Sequence, residues 1–545
     1  MTACNERRSL FAPGNAFAGN RQSGGSQWRY LQRMLEHLRN ADLAEAASLR
    51  INELIAEHAE WFLAESDGDL HEALKRDEVA TTIANGRLIL ASWTEKGARS
   101  WRIMAWEWKA EKLLLQASRR MGAERPLLEL IPRASASAVA ATVKAARQTR
   151  CEQLAQLARA LIPSAKVEKA TLSPGVRRGQ PGRYARIILR LRHERIAVTA
   201  TVAEVARSDA DAFLSAALLW FIRTSERTRP PYLQQLWLIL ESTGVKPVLD
   251  RLVLLRESLK NSICIYEIDH SWAQLAGVPT PERRELWKKR LGRFPPVSEP
   301  QTSRSALAIA AQVPEAIDVV QARYGETLRY FGLPFARVRR LLDLERVWFG
   351  AEGPLRRTLD ESSEYEFANL LDSLREYRAA VAADHHHALY RTASESWLEA
   401  MLRRDITKLD PGLIIAPLHA QFRTARGGRL GVRPVDLLAL RQDGRLVVIE
   451  LKVAEDRDHV LQGADYWRRV EAHRRRGHLT RARLFGALKI RDQPPLVYLV
   501  APTLRFHPSF QTLARTIAPD IEIYRFDINE DWRAGVRVMR RMRVN

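Results

Sequence analysis

The spacing of apolar side chains changes several times along the chain, and each change predicts a different kind of segment. In residues 28–79 the apolar positions recur at helical intervals, as at Leu31 and Leu35, so we predict a helical segment. Residues 80–275 combine short apolar runs, turn signals and three predicted helices, which predicts an α+β domain. Helical spacing returns in residues 306–389, where we predict a second helical region.

Two polar stretches flank these segments. Residues 1–27 are rich in Gly, Asn, Ser and Gln and hold too little apolar material to fold, so we predict a flexible tail. Residues 276–305 are polar and punctuated by proline, which is typical of a linker. Within the α+β domain, Asn85-Gly86 stands directly before a β-rich run and predicts a hairpin, followed by a β-meander.

Residues 390–545 show the most regular pattern, and we predict a separate α/β domain there. Asp443-Gly444 lies between two of its apolar runs and is a strong signal for a tight turn. The whole chain is therefore predicted to be a multidomain α/β and α+β protein. The predicted elements of the last domain are helix, three strands, helix, strand, helix and strand, at 394–409, 413–422, 434–441, 445–453, 459–475, 496–502, 509–517 and 521–529.

The composition adds a strong positive charge to this picture. Among 545 residues, 86 are Lys or Arg and 64 are Asp or Glu, which gives a net charge of +22. About half of the excess lies in residues 385–545, which hold 29 basic and 18 acidic side chains. A field of this sign attracts polyanions, and nucleic acid is the commonest polyanion of a cytoplasm. Charge therefore favours a nucleic-acid partner.

Several classes of protein are excluded by what the sequence lacks. The longest apolar run, Phe213 to Ile222, is about half as long as a bilayer requires, and the N-terminus carries charges where a signal peptide is apolar. We therefore predict a cytoplasmic protein without a membrane partner. Three scattered cysteines support neither a disulfide framework nor a metal site. The sequence contains no GxxxxGK[ST] loop, and the helix around Phe213 carries no HExxH ligands.

The residues that carry chemistry are Asp436, Glu450 and Lys452, on two neighbouring predicted strands. Glu450 and Lys452 are two positions apart on one strand, so their side chains share a face at a spacing of roughly 7 Å. Phosphodiester hydrolysis needs a positioned water, neutralisation of the charge that develops on the phosphate, and help for the departing oxygen. Two carboxylates on adjacent strands can hold a Mg²⁺ ion for this purpose, and the lysine can then approach the water or the phosphate.

This arrangement, PVD followed after thirteen residues by ELK, resembles the PD-(D/E)XK nuclease superfamily with its restriction-endonuclease-like fold. The resemblance covers roughly residues 390–530. It implies an αβββαβ core, Mg²⁺ or Mn²⁺ as cofactor, and Asp436, Glu450 and Lys452 as catalytic residues, with both acids as metal ligands. In the family a glutamate on the preceding helix often completes the metal shell. Here Glu395 is the first candidate and Glu399 the second.

The helix after the motif adds candidate substrate contacts. Gln462 and Tyr466 are one turn apart and look similar to a QxxxY pair that contacts substrate in several branches of the family. The other interpretation is a tyrosine packed against the sheet with a capping glutamine. The same helix carries four arginines that are placed for phosphate binding or, alternatively, form a solvated surface: Arg469, Arg474, Arg475 and Arg476.

We therefore predict a Mg²⁺-dependent deoxyribonuclease in DNA repair, recombination or restriction of foreign DNA. Three alternatives stay open: a binding module that keeps the nuclease fold without turnover, an RNA endonuclease, and a structural or regulatory protein in which the motif is accidental. The first 385 residues match no family that we can name. We expect them to recognise substrate structure or a partner protein.

Overall fold

The chain divides into two compact units, Met1–Ala134 and Ser135–Asn545. The predicted tail at 1–27 and residues 289–301 of the predicted linker lie outside the residues that the structure describes. The structure is a computed structural model, and it describes residues 36–38, 40–65, 71–94, 97–109, 112–118, 126–133, 136–175, 181–202, 210–227, 229–288, 302–322, 325–341, 344–350, 357–422 and 434–545.

In the first unit, one helix packs on a large antiparallel sheet. Its elements are β1 (Glu36–His37), α1 (Ala41–Ala56), β2 (Glu60–Glu65), β3 (His71–Lys75), β4 (Val79–Ala84), β5 (Arg87–Thr94), β6 (Gly97–Lys109), β7 (Lys112–Ser118) and β8 (Leu127–Arg133). Within the described residues the strand order is β3-β2-β8-β7-β6-β5-β4, and β1 pairs with β6. Ile51 and Leu54 of α1 pack on Trp61 and Leu63 in the core.

Sequence predicts part of this unit correctly. The hairpin at Asn85-Gly86 is confirmed, because these two residues have φ angles of 51° and 65° and join β4 to β5. The β-meander of β5 to β8 is also confirmed. Among the described residues of 28–79, the helical prediction is confirmed for α1 and is wrong where β2 and β3 follow it; residues 28–35 lie outside the described part of the chain. Burial in β2 alternates at every second residue, but a run of six residues is too short to stand out from the helical pattern before it.

The second unit opens with a mixed sheet that helices cover on both faces. Its elements are α2 (Ala136–Ala160), β9 (Lys166–Pro174), β10 (Pro181–Arg190), β11 (Arg195–Thr201), α3 (Ala210–Arg227), β12 (Leu233–Glu241), α4 (Ser242–Leu252), α5 (Glu257–Lys260), β13 (Ile263–Ile268) and β14 (Leu275–Val278). The order is β14-β13-β12-β11-β10-β9, with β11, β12 and β13 parallel and the other neighbours antiparallel. Helix α2 packs on one face, and α3 and α4 pack on the other.

Helix α3 contains the longest apolar run of the sequence. Phe213, Leu214 and Leu218 are fully buried, and they belong to a hydrophobic cluster that continues into the C-terminal residues 460–544. The all-round apolar character of this run therefore reflects burial between layers. Across the described parts of the chain, no helix is both long and apolar enough to cross a membrane.

Residues 304–377 form a smaller sheet with a helix before and after it. The elements are α6 (Arg304–Ala310), β15 (Ile317–Ala322), β16 (Gly325–Tyr330), β17 (Leu333–Leu341), β18 (Leu344–Phe349), β19 (Arg357–Thr358) and α7 (Glu364–Tyr377), and the antiparallel strands follow chain order. The helical prediction for 306–389 is therefore wrong for the described residues between 317 and 358, which are mainly strands. A register shift between Leu328 and Arg329 puts the adjacent Phe335 and Ala336 both in the core, which breaks the strand alternation in the sequence.

The C-terminal region confirms the predicted order of helices and strands. Its elements are α8 (Ala388–Arg391), α9 (Ser394–Arg404), β20 (His419–Phe422), β21 (Val435–Leu440), β22 (Leu446–Leu451), α10 (His459–Arg475), α11 (His478–Arg481), β23 (Leu496–Pro502), α12 (Phe510–Ala514), β24 (Ile523–Ile528) and β25 (Val538–Arg543). The strands lie in chain order; β22, β23 and β24 are parallel, and the other neighbours are antiparallel. Sequence reasoning missed β25, which carries arginines at Arg540, Arg541 and Arg543.

Arg378 fixes the approach of the chain to α9. Its side chain is fully buried and donates hydrogen bonds to the backbone carbonyls of Tyr330 at 2.9 Å, Leu389 at 2.6 Å and Thr392 at 2.8 Å. The guanidinium carbon also lies 4.7 Å from the ring centroid of Trp397 on α9. Burial lowers the pKa of Arg378 to about 9, so the side chain stays charged at neutral pH. These bonds join the five-stranded sheet to the helix that carries Glu395.

Candidate functional site

The hairpin of β21 and β22 brings the two predicted acids together. Leu437 pairs with Ile449, so Asp436 and Glu450 follow that pair on the opposite face of the sheet, at the open end of the hairpin. The backbone N–H of Leu451 donates to Asp436 Oδ2 at 2.9 Å. The charge of Asp436 acts on the Glu450 carboxyl group, and Glu450 is 1% exposed.

Both carboxyl groups resist ionisation in the metal-free protein. Burial raises the pKa of Glu450 well above its usual value, and the charge of Asp436 raises it further, against the opposing charge of Lys452. Burial also raises the pKa of Asp436, although the Leu451 hydrogen bond and Lys452 lower it. Two acids in contact at a buried place cannot both ionise unless positive charge lies between them. The pair is therefore a site for a proton or a cation.

Lys452 supplies the nearest positive charge. Its Nζ lies 2.9 Å from Glu450 Oε1, and 3.8 Å from Asp456 Oδ2. Burial would lower the pKa of Lys452, but the acids around it, first of all Glu450, raise it above its usual value. The lysine is therefore an ammonium at neutral pH. It can donate hydrogen bonds and stabilise negative charge, but in this state it cannot accept a proton.

The structure separates the two candidates for the third acid. Glu395 Oε2 lies 3.9 Å from Lys452 Nζ, whereas Glu399 is 4% exposed and its Oε1 lies 4.0 Å from Arg329 Nη1. Burial and the nearby acids raise the pKa of Glu395, and Lys452 lowers it. The side chain of Glu395 is half exposed, so water screens these effects. Of the two glutamates, only Glu395 contacts the lysine of the motif.

The donors at this place suit a hard divalent cation. Asp436, Glu450 and Glu395 offer carboxylate oxygens, and Mg²⁺ is commonly held by one or two carboxylates with several waters. Among the residues that the structure describes, no three His, Cys, Asp or Glu side chains converge closely enough to enclose a metal ion. The carboxylates do not converge because the Lys452 ammonium lies between them and contacts both Glu450 and Glu395. The fit is therefore to an ion held by the Asp436–Glu450 pair, with Glu395 within reach.

Gln462 and Tyr466 lie in the interior rather than on an open face. Gln462 is 3% and Tyr466 is 4% exposed. Tyr466 packs in a hydrophobic cluster with Val448 of β22, which matches the interpretation of a tyrosine packed against the sheet. His459, at the start of α10, places its Nε2 3.3 Å from the Glu450 carbonyl oxygen, and burial lowers its pKa to about 3. This end of α10 is therefore buried and uncharged next to the acids.

The four arginines predicted to bind phosphate have partners inside the protein. Arg469 is 10% exposed, and its Nε lies 3.3 Å from Asp465 Oδ2. Glu471 pairs with both Arg474 and Arg475 at 2.6 Å, and Arg474 also pairs with Asp492. Arg476 donates to the carbonyl of Trp287 at 2.7 Å. The run in the sequence thus joins α10 to neighbouring segments, and its charges are already neutralised by acids or capped by carbonyls.

A basic face that sequence reasoning missed lies on the five-stranded sheet. Arg337 and Arg339 on β17 pair with Trp348 and Arg346 on β18, on the face opposite the buried Val338 and Val347. Burial and the charges of Arg339 and Arg329 lower the pKa of Arg337, as expected where positive charges crowd together. The signal is a period of two in FARVRR and ERVWF, which the prediction of a helical region obscured.

The acid pair gives the stability of the metal-free protein a pH dependence. The pKa values of Glu450 and Asp436 are raised on folding, so the native state binds more protons than the unfolded chain between the ordinary and the raised pKa. The contribution of this acid pair to stability is therefore fully present below about pH 4 and is lost as the pH rises through the raised pKa values. We expect Glu450→Gln to lessen this fall and to raise the thermal midpoint in EDTA, increasingly so from pH 5 to 8.

Thermal melts of the full chain in EDTA check this expectation. Glu455→Gln is the matched control, because Glu455 is an exposed acid in the loop after β22. Melting midpoints of Glu450→Gln that run parallel to those of wild type over the whole pH range would contradict the buried acid pair.

The site is built from one hairpin, one loop and the first turn of α9. It combines two buried acids whose pKa values are raised with a charged lysine, and a third acid stands beside the lysine. The comparisons with known proteins do not narrow this chemistry. No protein-family model, no curated protein and no solved structure matches the chain.

Proposed function

We propose that this protein is a metal-dependent nuclease that hydrolyses phosphodiester bonds in DNA, and that its C-terminal region is a restriction-endonuclease-like domain. The observation that carries the proposal is the buried Asp436–Glu450 pair with Lys452 Nζ 2.9 Å from Glu450 Oε1. Burying two acids and a lysine costs stability, and groups with such strongly shifted pKa values are concentrated at functional sites.

The strand order of the C-terminal sheet supports the proposal. A helix precedes three antiparallel strands, and a crossover helix leads to a parallel strand, as the resemblance implies. The acids lie where β21 begins and β22 ends, beside the start of α10. Side chains at the end of a buried sheet can be rigid and still reach a ligand.

Each residue then has a chemical task. Asp436 and Glu450 hold Mg²⁺ or Mn²⁺, with Glu395 as an additional or water-mediated ligand. When bound, the ion polarises the phosphate and lowers the pKa of a water. Lys452, already an ammonium, stabilises negative charge on the phosphate oxygens or the attacking water. Asp456 keeps the lysine oriented at 3.8 Å.

The charge of the chain supports a polyanionic substrate. The net charge is +22, and Arg337, Arg339 and Arg346 face outward from one sheet together with Trp348. Arginines interleaved with an aromatic ring can contact both phosphates and bases. We propose DNA rather than RNA as the substrate, and repair, recombination or restriction of foreign DNA as the biological role.

Incubation of the full chain with labelled substrates in Mg²⁺ or Mn²⁺ tests the proposal. The panel comprises single-stranded, duplex, forked and flapped DNA together with the matching RNA duplex and single strand. We expect DNA products that carry a 5′-phosphate and that disappear in EDTA. Cleavage of RNA alone would assign an RNA endonuclease. Tight binding without cleavage in either metal would assign a binding module on the same fold.

A further inference from the structure

The second unit contains the same arrangement of elements twice. In α2 to β14 a helix precedes three antiparallel strands, a helix leads to a parallel strand, another helix leads to a second parallel strand, and the last strand is antiparallel. The series from α9 to β25 repeats this order with the same strand directions. Both sheets carry their first helix on one face and their crossover helices on the other.

The two sets of elements also contact each other reciprocally. Helix α3 of the first set packs on α12 of the second, and α10, which corresponds to α3, packs on α4, which corresponds to α12. The segments after α4 and after α12 pair directly: Arg256 N–H donates to Thr516 O at 2.8 Å, and Ala518 N–H donates to Leu254 O at 2.9 Å. Contacts that exchange partners in this way are those of a twofold-related pair.

The strand register then identifies the residues that correspond to the acid pair. The first set has the hairpin β10–β11 and the second has the hairpin β21–β22. In each hairpin we number the residue pairs from the turn and keep only the pairs whose side chains lie on the face of the crossover helices. Position by position, Arg190–Arg195 corresponds to Leu440–Leu446, Ile188–Ala197 to Leu438–Val448, and Arg186–Thr199 to Asp436–Glu450.

The first set therefore has an arginine where the second has its aspartate. Thr199, at the position of Glu450, is 2% exposed and donates its hydroxyl to the Ala185 carbonyl at 2.8 Å. Thr201 stands at the position of Lys452. An arginine and two threonines cannot hold a divalent cation, since they offer a positive charge and two weak ligands. They can hold an anion.

Arg186 has neighbours that suit an anion. Its guanidinium carbon lies 5.7 Å from the Trp220 ring centroid on α3, and Arg223 is one turn further along that helix. No carboxylate among the described residues forms an ion pair with Arg186 or Arg223. Burial lowers the pKa of Arg186, and the charges of Arg457 and Arg223 lower it further. Three positive charges thus converge, and Arg457 has an acid beside it, since its Nε lies 3.3 Å from Asp458 Oδ1.

This cluster is joined to the acid site by one short loop. Arg457 donates to the Ala212 carbonyl in the first turn of α3 at 3.2 Å, and Lys452 contacts Asp456 at 3.8 Å. Four residues lie between Lys452 and Arg457, so their Cα atoms are at most about 18 Å apart, five steps along the chain. That span equals about five base pairs along one duplex.

We propose that residues 136–278 are a second copy of the C-terminal domain that has lost its acids, and that Arg186, Arg223 and Arg457 bind the phosphate backbone of the nucleic acid that the C-terminal site cleaves. The choice of nucleic acid as the anion rests on the proposed function. Residues 136–278, which lack the metal ligands, thus bind the substrate. The strand leaving the acid site passes along the arginines, which position it for the reaction.

Binding measured without cleavage tests the inference separately from the proposed function. The full chain carries Asp436→Ala so that it binds without cleaving. Its affinity for labelled DNA and RNA duplexes of 24 base pairs, on the order of two helical turns, is measured by fluorescence anisotropy in EDTA over a range of salt concentrations. In this background Arg186→Gln with Arg223→Gln is compared with Arg159→Gln plus Arg192→Gln. The control residues are exposed arginines of α2 and of the β10–β11 turn, and both pairs remove the same charge.

We expect the Arg186/Arg223 variant to lose affinity by on the order of tenfold or more relative to the control, because each lost bond is to a charged group. The slope of log affinity against log salt should fall by about two units on duplex if both arginines meet phosphates. Arg186→Lys with Arg223→Lys should keep most of the slope and shows whether charge or folding is responsible. The duplex that binds more tightly identifies the polynucleotide.

Affinity and slope equal to those of the control would overturn the inference, even if wild type cleaves DNA normally. Arginine-dependent binding together with no cleavage by wild type in Mg²⁺ or Mn²⁺ would instead retain this site and overturn the proposed function.

Discussion

Asp436→Ala is expected to abolish metal-dependent cleavage, with a loss of at least about 10³-fold, while the protein stays folded. The aspartate and Glu450 share one buried place, and the remaining glutamate alone offers a single carboxylate to the ion. A loss of this size is at the upper end for removing one electrostatic stabiliser. Folding should survive, because the substitution removes a buried acid whose ionisation burial opposes.

The measurement is the initial cleavage rate of the best substrate in Mg²⁺, with circular dichroism and a thermal melt of each variant. Glu455→Ala serves as the matched control, since this acid is exposed and lies in the same loop as Asp456. It should cleave at the wild-type rate. Unreduced cleavage by Asp436→Ala would show that the site is elsewhere.

Lys452→Met and Glu450→Gln should fail for different reasons. The lysine touches Glu450 and stabilises charge, so its loss should lower the cleavage rate by roughly 10²-fold or more while metal and DNA still bind. Glu450→Gln replaces a carboxylate by an amide, a poorer ligand for a hard cation, and should weaken metal binding. Raising Mn²⁺ should then partly restore Glu450→Gln and leave Lys452→Met unchanged.

A metal titration of cleavage at equal DNA occupancy separates the two variants. Lys489→Met, at an exposed lysine beside the Asp443-Gly444 turn and so at the opposite end of the hairpin from Lys452, controls for the loss of a positive charge. If added metal restores both variants equally, Lys452 has no separate chemical role, and the mechanism proposed for it is wrong.

The C-terminal region is the part of the fold that sequence predicts most completely, and local signals explain why. Asp443-Gly444 sets the hairpin register, because Gly444 adopts a φ of 81° that the turn requires. That register alone places Asp436 opposite Glu450. The parallel strands β22 and β23 are buried along their whole length and therefore read as continuous apolar runs.

Contacts between distant segments explain what the sequence could not show. The arginines of α10 look like a free basic face in the sequence, but Asp465, Glu471 and Asp492 neutralise them in the structure. Glu395 and Glu399 are one turn apart, and only the position of Arg329 decides which of them turns away. The two sets of elements share strand order and strand direction, but their side chains differ. The repeat of the fold is therefore not visible in the sequence.

The shared hydrophobic cluster ties the two copies into one folding unit. Trp467 of α10 meets the ring of Trp287, which follows residues 136–278, at 6.2 Å between centroids, and Ile517 forms a β-bridge with Leu255 of the copy at 136–278. A fragment that starts near residue 390 would expose this surface to water and aggregate. The proposed metal site and the arginines proposed to bind substrate are thus expected to unfold in a single cooperative transition.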